Sequence, residues 1–168
     1  MCIRDSTVPE AEAKFLVQNY VSNAGLSVPI HVDNITADIT YYGLALDAPN
    51  MPVVPVMNTD DCYRHFFLNT TNKDQLSAFL SQTADHILQP FPVGLSSNVG
   101  LFVANPAYSG NVNFAAGFSQ KDYHGTVVWS WQLAMMSAGL ARQLDRCGTD
   151  DAPGMCMWDA EDLANYTF

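Results

Sequence analysis

Residues 122–144 read DYHGTVVWSWQLAMMSAGLARQL, and this stretch decides the fold. From 127 to 144 it contains no proline and no Asp, Glu or Lys, which predicts one helix of about five turns. The predicted helix is apolar on nearly every face, and such a helix is buried on all sides by a second layer of structure. Small residues at Ala138 and Gly139 would let neighbouring helices approach closely. We therefore expect a mainly α-helical protein with this helix in its interior.

Large rings with polar edges crowd the start of this predicted helix. They are Tyr123, His124, Trp129 and Trp131, followed by the amide of Gln132. Such side chains offer a flat apolar body and a polar tip, which suits a surface that stacks on sugar rings and hydrogen-bonds their hydroxyl groups. The alternative is that the rings are core residues that cap a buried helix. The residues alone do not decide between the two.

The run YHGTVVWSWQ, followed by a helix of small residues, resembles the signature of six-hairpin glycosidase-like proteins. This family folds as (α/α)6 toroids and includes glycogen-debranching-type and glucosidase-like enzymes. The resemblance implies part of an (α/α)6 toroid that is mainly α with β-rich excursions. It also implies a glycoside hydrolase that cleaves O-glycosidic bonds in α-glucans or related oligosaccharides with inversion. The residues expected to bind substrate are Tyr123, His124, Trp129, Gln132 and Trp131.

Glycoside hydrolysis requires two carboxyl groups, one to protonate the leaving group and one to activate water. In the resembled enzymes the acid precedes the YHG motif and the base follows it, which places both largely outside this chain. Asp122 is the carboxylate nearest the motif and the one catalytic candidate in its immediate vicinity, but a helix cap or an orienter of Tyr123 and His124 explains it better. Asp60 and Asp61 belong to a β-rich excursion that lies at the active-site end of the resembled toroids. A solvated turn before a strand is the simpler explanation for both.

Two alternatives to a hydrolase stay open, because a fold resemblance does not define a function. A sugar epimerase uses the same toroid and transfers protons through facing histidines. A carbohydrate-binding toroid would keep the aromatic residues that stack on sugar rings but lack the two catalytic carboxyl groups. The sequence has no G-x-S-x-G, P-loop, H-E-x-x-H or G-x-G-x-x-G motif, and its four histidines lack ligand spacing. We therefore expect neither a cofactor nor a metal site.

The charge of the chain narrows the class of partner. Among its 168 residues, 17 are acidic and 7 are basic, which gives a net charge of −10. Nucleic acid and anionic membrane surfaces are therefore unexpected partners, whereas a neutral oligosaccharide or polysaccharide is compatible. No apolar stretch is long enough for a transmembrane helix.

Both ends of the chain resemble cut edges. Residues 1–6, MCIRDS, resemble a translated sequencing adapter and are expected to be an artefact. The pattern of residues 158–168 predicts a helix that is cut off before its natural end. Because a complete toroid needs roughly twice this length or more, residues 7–168 are expected to form a partial toroid domain truncated at both ends.

Cysteines and sequons bear on the compartment. Cys147 and Cys156 bracket a loop of Gly, Pro and Asp, and they form either a disulfide or two free thiols. Three N-x-[ST] triplets begin at Asn34, Asn69 and Asn165. Together these features favour a secreted or periplasmic protein over a cytoplasmic one.

The segments before the motif alternate between helices and loops. Residues 7–10, TVPE, match a capping box that opens a helix ending near Gly25. Residues 39–47 and 53–57 are expected to pair as an irregular hairpin, and residues 63–68 to form a short strand. A helix that starts at residues 72–75 should run to position 88, because its apolar residues recur at spacings of three and four.

The crossing that follows contains several Gly and Pro residues between positions 91 and 108. A loop of this length in a compact domain is usually functional. We expect residues 97–108 to border one concave pocket together with the five substrate-binding residues.

Overall fold

The computed structural model describes residues 5–27, 30–47, 50, 52–67 and 72–146. In these ranges the α-helices are α1 (Glu10–Ala24), α2 (Asp61–Phe67), α3 (Lys73–Leu88), α4 (Val112–Ala116) and α5 (Ser130–Leu144). The strands are β1 (Asp5–Val8), β2 (Ile39–Tyr42), β3 (Met57–Asn58), β4 (Ser96–Ser97), β5 (Gly100–Leu101) and β6 (Ala104–Asn105). The prediction of a mainly α chain with β-rich excursions is confirmed. The cysteine pair, the sequons at 69 and 165, and the expected helix at 158–168 lie outside the described residues.

The strands form three small antiparallel sheets, β1 with β2, β3 with β6, and β4 with β5. The second of these sheets ties the 39–57 excursion to the 91–108 crossing, because Met57 pairs with Asn105 and Asn58 with Ala104. The expected irregular hairpin also forms. Its arms meet at an antiparallel bridge between Leu46 and Val53.

Helix α1 occupies the predicted place, but the predicted capping box is wrong. Thr7 lies in β1, with its Oγ1 3.0 Å from the Oγ1 of Thr40 on β2. The first amide of the helix, Glu10 N–H, instead donates to Asp38 Oδ1 at 3.0 Å. Thr7 therefore pairs in a strand and does not cap the helix. The helix ends as predicted at Gly25, whose φ of 62° lies in the left-handed region that glycine tolerates.

Helix α3 confirms the prediction at its start and along its apolar face. The side chain of Asn72 accepts a hydrogen bond from Gln75 N–H at 3.0 Å, which satisfies an otherwise free amide of the first turn. The buried apolar residues of α3 are Leu76, Phe79, Leu80, Ala84 and Ile87. They pack into a core with residues of α2, α5 and β5, namely Cys62, Leu101, Met136 and Leu140.

The strand predicted over 63–68 is wrong, because residues 61–67 form helix α2. The run is rich in aromatic residues, which are common in strands. Its buried members, however, are Cys62 and His65, which are three positions apart and face α5. Packing against α5 therefore overrides the local preference.

Helices α2 and α5 run in the same direction. Asp60, just before α2, is bonded to Gln132 in the first turn of α5, whereas the carbonyl of His65 accepts from Gln143 near the end of α5. Between these links Gly139 lies against α2, and a Cβ built on it would be 2.8 Å from the Cβ of His65. The predicted role of a small residue in close helix packing is thus confirmed at this position.

Helix α5 is shorter than predicted at its start. Val127 and Val128 are extended, because Val103 N–H donates to the carbonyl of Val127 at 2.8 Å and Val128 bridges to Phe102. The β-rich crossing therefore pairs with Val127 and Val128, and the helix begins at Ser130.

The prediction that α5 is shielded on every side is also wrong. Ala134, Ser137, Ala138 and Ala141 are exposed and follow one face of the helix. Small side chains lose little by contact with water, whereas the large apolar residues turn inward. Met136, for example, is fully buried. In the described part of the chain, α5 is therefore an amphipathic helix with one open face.

Candidate functional site

Six rings form a continuous row across α2, the start of α5 and the turn before α5. We call Phe67, Tyr63, Trp131, Trp129, Tyr123 and His124 the aromatic row. The ring centroids are 6.4 Å apart from Phe67 to Tyr63, and 5.8 Å apart from Tyr63 to Trp131. From Trp131 to Trp129 the separation is 5.5 Å. These separations are those of direct ring contacts.

The far end of the aromatic row is a tight group of three rings. Trp129 lies 4.5 Å from Tyr123 and 5.1 Å from His124 between centroids, and Tyr123 and His124 are 4.9 Å apart. The structure therefore brings together all four rings that the sequence proposed as substrate-binding residues. Their mutual contacts fix the rings as one surface.

Much of the aromatic row faces solvent. Tyr123 is 75% exposed, Phe67 62%, Trp131 44% and Tyr63 40%. For Trp131 the alternative of a core residue is therefore wrong. A contiguous set of exposed rings is rare on a soluble protein and usually marks a binding surface.

An amide and a carboxylate lie beside the row. Gln132 is buried, with 2% exposure, and its Nε2 donates to Asp60 Oδ1 at 2.9 Å. Asp60 as a whole residue is exposed to solvent. The hydrogen bond from Gln132 nevertheless holds its carboxyl group against α5. Burial raises the pKa of Asp60, while the hydrogen bond from Gln132 and the nearby His124 lower it. Asp60, which the sequence explained as a solvated turn, is thus held at the aromatic surface.

The neighbouring carboxylate, that of Asp61, points toward the protein interior. Asp61 Oδ2 accepts a hydrogen bond from Thr83 Oγ1 on α3 at 3.5 Å. Burial raises the pKa of Asp61 to about 7, and the attraction of Arg64 only partly offsets this. The two adjacent carboxylates therefore have different environments, one at the surface and one within.

Asp122 braces the turn that carries Tyr123 and His124. Its Oδ2 accepts from Ser119 N–H at 2.9 Å and from Ser119 Oγ at 2.6 Å. These bonds fit the interpretation of Asp122 as an orienter of the two rings that follow it. They do not direct its carboxylate to a reacting group.

Gly125 closes this turn, and we expect Gly125→Ala to disturb the site. A Cβ at this position would lie 1.9 Å from the backbone oxygen of Ser119 and 3.0 Å from that of Asp122. Because backbone atoms cannot rotate away, the turn must shift, and we expect a loss of about 1–3 kcal/mol in unfolding free energy. Chemical denaturation measures this loss. The matched control is Gly117→Ala, where the nearest atom would be 3.4 Å away; equal effects of the two substitutions would contradict the steric argument.

A cavity of about 610 Å³ lies elsewhere on the molecule. It is formed by α1, α4, the segment around residues 106–111 and the turn before Thr126. The predicted pocket does not coincide with it, because none of the five predicted substrate-binding residues lines this cavity. The 97–108 crossing does approach the motif, but it does so through Phe102 and Val103, which contact Val128 and Val127.

The histidines occupy different surroundings. Burial lowers the pKa of His65 to about 3 and that of His86 to about 4, so both are neutral near pH 7. His86 Nε2 is bonded to the carbonyl of Thr40 at 2.8 Å. Of the four histidines, His124 is the one in the aromatic row. The described residues contain no cluster of three or more His, Cys, Asp or Glu side chains suited to a metal ion.

No helix within the described ranges combines the length and apolar character needed to cross a membrane. Comparison with known protein families, curated proteins and solved structures finds no match for the chain. The functional argument therefore rests on the residues themselves.

Sequence reasoning missed two members of the site, Tyr63 and Phe67. Their signal is a spacing of three and seven residues after Asp60, which places all three on one face of a helix. The signal was hidden because the segment was predicted to be a strand, in which residues three apart lie on opposite faces.

Proposed function

We propose that the chain is part of a glycoside hydrolase that cleaves O-glycosidic bonds in α-glucans or related oligosaccharides. In this proposal the described elements belong to an (α/α)6 toroid, and the aromatic row holds the saccharide. The observation that carries the proposal is the exposed aromatic row with the Asp60–Gln132 pair beside it. The resemblance of YHGTVVWSWQ to the six-hairpin glycosidase-like signature supplies the reaction.

The chemistry of the row suits a neutral sugar. The faces of pyranose rings carry C–H groups that pack on aromatic rings, and their edges carry hydroxyl groups that bond carboxylates and amides. Several rings in succession offer stacking positions for more than one sugar unit. An oligosaccharide is therefore a better fit than a single small solute.

The proposal places the catalytic acid and base largely outside the described surface, as the resemblance implies. A carbohydrate-binding protein without catalysis is the second candidate, because the exposed row alone would serve it. An epimerase fits less well. It requires facing histidines, whereas two of the four are buried and neutral, and a third, His31, is remote in sequence from the row.

We expect Trp129→Ala to weaken binding of maltotetraose by up to about 2 kcal/mol, the scale of one lost aromatic contact in a binding site. Isothermal titration of the 168-residue chain measures the change. Phe15→Ala is the matched control, because Phe15 is 60% exposed on α1, outside the row. Absence of binding by the unmodified chain to maltotetraose and to other neutral oligosaccharides would overturn the proposal.

Release of reducing sugar by the product of the complete gene separates the two candidates. Hydrolysis with inversion supports the glycoside hydrolase. Binding of oligosaccharide without turnover would instead establish the carbohydrate-binding protein.

A further inference from the structure

Asp60 lies where two helices begin. It directly precedes α2, and it is bonded to Gln132 in the first turn of α5. The N-terminal end of a helix carries a partial positive charge, which stabilises a nearby carboxylate. Because α2 and α5 run in the same direction, both of these ends lie at Asp60. The helix ends and the bond from Gln132 favour the ionised carboxylate, whereas partial burial of the group opposes ionisation and raises its pKa overall.

Only one of the two adjacent carboxylates is open to a ligand. Asp61 is turned toward Thr83 on α3, whereas Asp60 belongs to an exposed residue. The bond from Gln132 engages Oδ1 of Asp60 and restrains the carboxyl group. An ionised carboxylate has about four acceptor positions, so this bond leaves acceptor capacity on Asp60.

Rings of the aromatic row belong to both segments that hold this carboxylate. Tyr63 is three residues after Asp60 on α2, and Trp129 is three residues before Gln132. His124 is close enough to lower the pKa of Asp60. A sugar stacked on these rings would therefore present its hydroxyl edge to the carboxylate.

We infer that Asp60 is a specificity-determining residue that accepts hydrogen bonds from hydroxyl groups of a neutral saccharide on the aromatic row, and that Gln132 positions it. This inference rests on the proposed function, but it does not require that Asp60 take part in bond cleavage. The selected ligand is a sugar with free hydroxyl groups at the edge of its stacked ring.

The test is the binding of maltotetraose to the Asp60→Asn variant of the full chain. Asparagine keeps an oxygen that accepts from Gln132, so the link between α2 and α5 is retained. It removes the charge, and a hydrogen bond to a charged group contributes more than a neutral one. We expect the Kd to rise roughly ten- to a hundredfold, with the melting temperature unchanged within about 2 °C.

Asp74→Asn is the matched control. Asp74 is also an exposed aspartate at the start of a helix, but that helix is α3, which contributes no ring to the row. Its substitution is expected to leave the Kd unchanged. If Asp60→Asn binds as the unmodified chain does while Trp129→Ala binds less tightly, the inference fails and the proposed function stands. If the unmodified chain does not bind, the proposed function itself fails.

A double-mutant cycle tests the positioning role of Gln132. Gln132→Met keeps the volume and removes the donor to Asp60. We expect it to weaken binding when Asp60 is present and to have a much smaller effect in the Asp60→Asn background, where the charged acceptor that it positions is gone, because residues that act as a unit are not additive. Additive effects on the Kd would overturn the assignment of Gln132 as a positioning residue.

Discussion

Gly139→Leu is expected to lower the free energy of unfolding by more than about 3 kcal/mol. A Cβ at this position would already lie 2.8 Å from the Cβ of His65, 3.1 Å from Phe66 N and 3.2 Å from Cys62 O. Two of these atoms belong to the backbone of α2, so no side-chain rotation relieves the contact. The remaining atoms of leucine would force α5 away from α2 and expose Met136 and its neighbours.

Denaturation by urea, followed by circular dichroism, measures this effect. Ala138→Leu adds a large side chain to the adjacent position on the exposed face of α5, and it should change the stability by less than about 0.5 kcal/mol. If both variants are equally stable, the close contact of the two helices is refuted. Because the Asp60–Gln132 bond joins the same helices, Gly139→Leu should also abolish binding at the aromatic row.

The second large effect is a pH dependence of the unfolding free energy. Asp61 and two buried histidines contribute to it with opposite signs. Burial raises the pKa of Asp61 in the folded chain to about 7 from 3.8, so its contribution is present below pH 3.8 and is lost as the pH rises toward 7. His65 and His86 have folded pKa values of about 3 and 4, below the usual 6.5. Their contributions are present above pH 6.5 and are lost as the pH falls toward 4. Burial also raises the pKa of Asp60 and of Asp85, by less than that of Asp61, and these groups add to the effect of Asp61 only at lower pH. Just below pH 6.5 two histidines oppose one carboxyl group, so stability should decline on acidification below about pH 6.

Asp61→Asn isolates the carboxylate. Because one titrating group contributes at most about 1.4 kcal/mol per pH unit, the slope of unfolding free energy against pH should become more positive by roughly 1 kcal/mol per unit between pH 4 and 7. Urea titrations at several pH values measure the slope. Asp74→Asn, an exposed aspartate on α3, should leave it unchanged. Identical slopes for the Asp61→Asn variant and the unmodified chain would contradict the burial of this carboxyl group.

The helices with a clear apolar period were predictable from the sequence. In α3 the cap at Asn72 and the buried face follow from local residue order. The end of α1 at Gly25 follows from the freedom of glycine to adopt a positive φ. Local residue order does not predict the role of Thr7. It pairs with Thr40 on β2, a residue 33 positions further along the chain.

The four rings of the motif were predictable as a group, because they are close in sequence. Tyr63 and Phe67 were not, since their place in the site depends on the packing of α2 against α5, and for the same reason Asp60 was explained as a solvated turn. The same packing explains why a strand-like aromatic run becomes a helix. The preference of aromatic residues for strands is weak, and burial of residues three or four positions apart against a neighbouring helix overrides it.

The bond between Asp60 and Gln132 spans 72 positions of the chain, and the contact between Tyr20 and Thr126 spans 106. Closing a loop of the first size costs about 4 kcal/mol of chain entropy before any contact offsets it. Contacts between distant positions also slow folding. The local turn of α3 can form early, whereas the carboxylate meets the rings only after the intervening chain has collapsed. We therefore expect the aromatic row and its acceptor to be completed late in folding.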